Sequence, residues 1–115
     1  MSGVLLTDDI AVEGCSPPGG VVAVWTLNRP EKLNALNRDS HLAIKEQCVR
    51  VESDDAVRAV VIRGAAPPTP EEGKRPKPAA FAAGADISEF AGKNSDDVRE
   101  FFADNAWEAV WGLSK

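Results

Sequence analysis

The segment Phe81-Ala82-Ala83-Gly84-Ala85-Asp86-Ile87-Ser88-Glu89-Phe90 offers few side-chain functional groups, so chemistry centred on it must run largely through its backbone. Backbone N–H groups are fixed donors, and small side chains leave them open to a ligand. In that reading Phe81 closes a strand, Gly84 permits a tight turn, and the N–H groups from Ala85 onward open a short helix with a positive N-terminal end. Such donors suit a developing oxyanion or a phosphate. The plainer reading is a strand-to-helix turn capped by Asp86, and spacing alone favours it.

The other candidates are weighed the same way. Asp86 and Glu89 stand three apart, a spacing open to acid–base work by a carboxylate pair but equally to a capping acid followed by Glu in the first turn; capping is favoured. His41, the one histidine, falls in a helical stripe with Ile44 and Cys48 and reads as a packing residue rather than a catalyst. With no His-Asp-Ser or Cys-His set, triad chemistry has no support. Lys74, Arg75 and Lys77 could touch phosphates, yet within a proline-rich stretch they read as solvated charge. Cys15 and Cys48 lack metal-type spacing and read as ordinary reduced thiols.

Elements must position these groups. Val4 to Val12 reads as a first strand, paired antiparallel through the loop at residues 13–20 with a second, Val21 to Leu27 (VVAVWTL), whose apolar run predicts burial on both faces. From about Arg38 to Glu52 the residues His41, Ile44, Cys48 and Val51 recur at helical spacing, and Val57 to Gly64 (VRAVVIRG) is a further β-branched run. Strand, helix and strand make a βαβ unit with parallel strands. Residues 65–80 hold five of the eight prolines and read as an extended, solvated loop. A second helix follows, capped by Asn94 or Ser95, with Asp96 and Asp97 in its first turn and a stripe of Val98, Phe101, Phe102, Ala106, Ala109 and Leu113 ending at Gly112. Trp107 and Trp111 fall outside that stripe and predict a second apolar surface.

The charge of −5, from thirteen Lys plus Arg against eighteen Asp plus Glu, disfavours nucleic acid and anionic membrane as partners. The N-terminus lacks the pattern of a secretion signal, and no window is apolar enough to span a bilayer, so the expected compartment is the mitochondrial matrix or the cytoplasm. Two doubly buried strands and a helix with two apolar faces ask for more covering layers than 115 residues supply. The chain therefore reads as part of something larger.

Two stretches, Leu27-Asn28-Arg29-Pro30-Glu31-Lys32-Leu33-Asn34-Ala35-Leu36-Asn37 and Phe81 to Phe90, in this order and separated by a helix and the DDAVRAVVIRG strand, resemble the enoyl-CoA hydratase/isomerase (crotonase) superfamily. The resemblance runs from about Val4 to Lys115 and implies an α/β fold of crotonase-like ββα units. Residues 1–115 would be the N-terminal portion of a single such domain, a mixed sheet with a crossover helix, incomplete by itself and carrying a proline-rich insert at about 65–80. It implies acyl-CoA thioester substrates, no further cofactor, and an enolate-like oxyanion held by two backbone N–H groups, the first from Ala85. Ala83, Asp86 and Ile87 would line the adenine and pantetheine path, with Lys32 and Leu33 approaching the CoA from the other side. In the hydratases two glutamates and a glycine-rich turn complete the site, all beyond the point matching Lys115. The resemblance thus implies hydration of 2-enoyl-CoA by the complete protein, a homotrimer or hexamer as assembly, and the missing C-terminal half of the domain as partner. The alternative is a non-catalytic CoA-binding or assembly module, with Trp107 and Trp111 as interface anchors.

Overall fold

Three β-branched runs build the sheet on which everything else rests. In the computed structural model, which describes residues 3–14, 18–67, 69–75, 78–103 and 105–115, β1 is Leu5–Ala11, β2 Val21–Leu27 and β3 Val57–Gly64, in the order β1-β2-β3. β1 pairs antiparallel with β2, Leu5 opposite Leu27 and Ala11 opposite Val21; β2 pairs parallel with β3, Val24 opposite Val61. The parallel pair needs a crossover, and α1 (Arg38–Glu52) supplies it. Asn37 caps α1, its side-chain oxygen accepting from the Ser40 N–H at 2.8 Å and the Ser40 hydroxyl at 2.9 Å.

Because paired residues share a face, one side of the sheet carries Leu5, Ala23, Trp25, Leu27 and Val57, and α1 lays Ile44, Cys48 and Val51 on it; all are buried. Each Leu, Ile or Val among them contributes roughly 1.5–3 kcal/mol on leaving water. β2 is buried along most of its length, as its apolar run predicts, whereas β3 is not: only Val57 is buried, and Val61 is about half exposed. As the last strand of the sheet, β3 has a neighbour on one side only.

The second helix departs from expectation. It is two helices, α2 (Ser95–Ala103) and α3 (Ala106–Trp111), because Asn105 turns extended and starts a new helix, its side chain accepting from the Glu108 N–H. Asn94, not Ser95, caps α2 by accepting from the Asp97 N–H at 2.9 Å. The side chains of Phe101 and Phe102 lie outside the described residues. α3 stops at Gly112, but that residue is right-handed (φ −81°), so its freedom to adopt positive φ is unused there. Trp107 packs against the core, while Trp111 is 90% exposed. No described helix is long and apolar enough to cross a membrane.

α3 reaches the core through His41. Ala106 is fully buried, and its N–H, an orphan donor of the first helical turn, would cost about 1–3 kcal/mol unpaired. His41 Nδ1 accepts it at 3.0 Å. The expected packing role of His41 thus includes a hydrogen bond linking α1 to α3.

Candidate functional site

The site begins in the turn after β2. Pro30–Lys32 forms one turn of 3-10 helix, and Leu33 and Asn34 then take left-handed backbone (φ 54° and 57°), which costs a non-glycine residue roughly 1–2 kcal/mol. Asn34 offsets this cost. Its N–H donates to the Arg29 carbonyl at 2.8 Å while its side-chain oxygen accepts from the Arg29 N–H at 2.9 Å; its side-chain amide donates to the carbonyls of Ala65 at 3.1 Å and Ala80 at 2.9 Å. One residue, 2% exposed, therefore closes the turn and holds together both ends of the proline-rich loop. Gly64 permits the approach, since a Cβ there would fall on the carbonyl oxygens of Ala80 and Phe81 and on the Asn34 amide.

Against this turn lies the Ala-Ala-Gly-Ala segment. Ala83 N–H donates to the Leu33 carbonyl (3.0 Å), Leu36 N–H to the Gly84 carbonyl (2.8 Å) and Asp86 N–H to the Leu36 carbonyl (2.8 Å). The two bonds made by Leu36 form a parallel bridge between Leu36 and Ala85. In such a bridge one residue, here Leu36, makes both hydrogen bonds, and the N–H of the residue opposite it points away from the partner segment. The Ala85 N–H is therefore not consumed by the pairing that positions its segment, and no acceptor reaches it among the described residues. Gly84 sits at φ 112°, a conformation open to glycine and strained for any other residue.

The next residue is locked. Asp86 caps a 3-10 turn (Ile87–Phe90), one oxygen accepting from the Ser88 hydroxyl at 2.6 Å and N–H at 3.1 Å, the other from Arg29 Nη2 at 2.9 Å. Arg29 Nη1 donates to the Ala35 carbonyl at 2.6 Å. The Ser88 hydroxyl, then Arg29, hold the Asp86 carboxyl below its ordinary range.

The structure thus brings Leu33, Ala83, Ala85 and Asp86 side by side, with Lys32 exposed in the adjoining turn. Phe81 does not close a strand: it lies in a bend, and β3 has already ended at Gly64. Its ring packs instead near Trp107, centroids 6.5 Å apart. The capping reading of Asp86 holds; the Ile87 and Glu89 side chains lie outside the described residues, as do Cys15 and Lys77. Lys74 pairs with Glu71 at 3.0 Å with both groups solvated, in keeping with its reading as surface charge.

An apolar groove of about 600 Å3 opens elsewhere, between α1 and α3, where Cys48, Val49, Ala109 and Leu113 meet. It shares no residue with the Leu36–Ala85 bridge. Burial, then Glu52, push the Cys48 thiol up, in keeping with a packing role. Arg29, Asn34, Gly64 and Ser88 were not singled out from the sequence. An Asn after an Arg-Pro turn hints at left-handed backbone, but nothing local marks its distant acceptors.

Comparison with known proteins gives the family and the fold. A profile of the family described as enoyl-CoA hydratase/isomerase matches residues 22–111. The short-chain-enoyl-CoA hydratase of Clostridium acetobutylicum is 40% identical over 82 residues, which are 71% of this chain and 27% of that protein. The crotonyl-CoA hydratase of Syntrophomonas wolfei is 35% identical over the same shares. Among solved structures, the enoyl-CoA hydratase of Bacillus anthracis superposes with a TM-score of 0.59 at 26% identity, over 84% of this chain and 30% of that one. The chain spans under a third of the length of these relatives.

Proposed function

The chain belongs to the enoyl-CoA hydratase/isomerase family, and on that premise we propose that it carries one half of an oxyanion hole for an acyl-CoA thioester. Its mixed sheet and crossover helix are the N-terminal portion of a crotonase-like α/β fold. The observation that carries the proposal is the Ala85 N–H, placed by the Leu36 bridge yet uncommitted to it.

A thioester carbonyl seated there accepts from Ala85. When water adds across the C2–C3 double bond of a 2-enoyl-CoA, an O–H bond of water breaks as its proton passes to a carboxylate, and hydroxyl bonds to C3. The electron pair of the double bond moves through C2 to the carbonyl oxygen, and a proton delivered by a carboxyl group then bonds to C2 as the carbonyl re-forms. The Ala85 donor stabilises the enolate oxygen between those events, in a position that a bulky side chain would block. Ala83, Asp86 and Ile87 line the CoA on one side, Lys32 and Leu33 on the other. The second donor and the acid–base carboxylates come from the stretch that, in relatives, follows the point matching Lys115. A trimer or pair of trimers is part of this reading.

Exposed Trp111 favours a second reading, a non-catalytic CoA-binding or assembly module. One experiment separates them: crotonyl-CoA hydration by the purified protein, with the intact mass of every polypeptide measured beside it. Turnover supports the first reading, and replacing the Ala85 amide by an ester, which removes the N–H and also weakens the Gly84 carbonyl that accepts from Leu36, then lowers kcat about 100- to 1,000-fold. Saturable CoA binding without turnover supports the second. Full turnover in the ester-substituted protein removes Ala85 from the mechanism.

A further inference from the structure

We propose that Arg29 is a positioning residue for the Ala85 N–H, acting through Asp86 and the Ala35 carbonyl; the inference rests on the reading of Ala85 as an oxyanion donor. The Leu36–Ala85 bridge is isolated, a single bridged pair outside any strand. Its two hydrogen bonds, with that from the Ala83 N–H to the Leu33 carbonyl, fix where the two segments touch, and none of the three is made by Ala85 or by the Asp86 side chain. Arg29 grips the neighbours on both sides. Nη2 holds the carboxylate of Asp86, the residue after Ala85, and Nη1 holds the carbonyl of Ala35, the residue before Leu36.

The planar guanidinium presents its donors at a fixed angle, so the two acceptors are held at a fixed separation as well. Both ends of the clamp are anchored. The backbone of Arg29 is paired reciprocally with Asn34, and Ser88 occupies the other oxygen of Asp86, leaving that carboxylate one orientation. The ion pair is largely out of water, its side chains 14% and 16% exposed, and salt screens such a pair less than a surface one. An oxyanion donor must sit about 2.7–3.1 Å from the charge it stabilises, so loss of the clamp should cost catalysis more than it costs binding.

The test is carbon-13 NMR of crotonyl-CoA labelled at the thioester carbonyl and bound to the protein. Bound to the unaltered protein the carbonyl resonance moves downfield. In Arg29→Gln and in Asp86→Asn more than half of that movement is lost while the thioester still binds, and kcat falls about 100-fold, as for a misplacement near 1 Å, with KM changed little in Arg29→Gln, which leaves the CoA lining intact. Should Arg29→Gln fail to fold, the isosteric Asp86→Asn decides alone. A folded variant that keeps the full movement overturns the proposal and leaves Arg29 a purely structural role. A resonance unmoved by the unaltered protein overturns the Ala85 reading itself, and the Arg29 proposal falls with it.

Discussion

Asp86 gathers three donors on one carboxylate, two from Ser88 and one from Arg29, and its acid behaviour follows. A group whose native pKa is depressed stabilises the fold above its unfolded value, near 3.9 for Asp, and loses that contribution as pH falls through the native value. Stability should therefore begin to fall near pH 4, and Asp86→Asn should flatten part of that fall in urea melts taken from about pH 7 to pH 2. Part remains, because the Ser114 N–H and then its hydroxyl hold Glu52 down in the same sense. An unchanged acid limb in Asp86→Asn would mean that the ion pair is not formed in solution. Other single residues act through shape. Gly64 makes room for the Ala80 and Phe81 carbonyls, and the buried Trp25 Nε1 goes without a partner among the described residues.

Among the elements, the proline-rich loop is the most separable. Its two ends, Ala65 and Ala80, offer carbonyls to the same side-chain nitrogen of Asn34, so they lie close together whatever passes between them. Replacing residues 67–78 by a short Gly-Ser turn should shift the urea midpoint by less than about 1 kcal/mol, since closure entropy changes only slowly with loop length. Crotonyl-CoA affinity, measured on the same protein, then reports whether the loop itself guards access to the proposed CoA site. Loss of folding would show that the loop contributes contacts beyond its closed base. α1 and α3 are coupled differently, by a buried bond from Ala106 to His41, with Ser114 reaching Glu52 at the far end of α1.

For the molecule as a whole, the sheet has one covered face and one open face. Leu6, Ile10 and Val61 lie on the side away from α1, each about half exposed, and of these Val61 lies in a strand from which the sequence predicts surplus apolar surface. The chain should bind a hydrophobic dye there, and Ile10→Lys and Val61→Lys should reduce that fluorescence with stability changed by no more than about 0.5 kcal/mol. Fluorescence unaffected by either change would assign the dye to the α1–α3 groove. The extents of β2, α1 and β3 were legible in the sequence, because β-branched runs and a three-to-four spacing are local consequences of burying a strand or one helix face. So was the pairing of two motifs far apart in the chain, although only as a resemblance. The division of α2 from α3, the bonds from Asn34 to carbonyls 31 and 46 residues away, and the Arg29–Asp86 pair across 57 residues depended on the tertiary structure. A hydrogen bond between distant segments imposes no period on the chain and asks of each residue only a donor or an acceptor, so its partner is decided by where the fold brings the backbone.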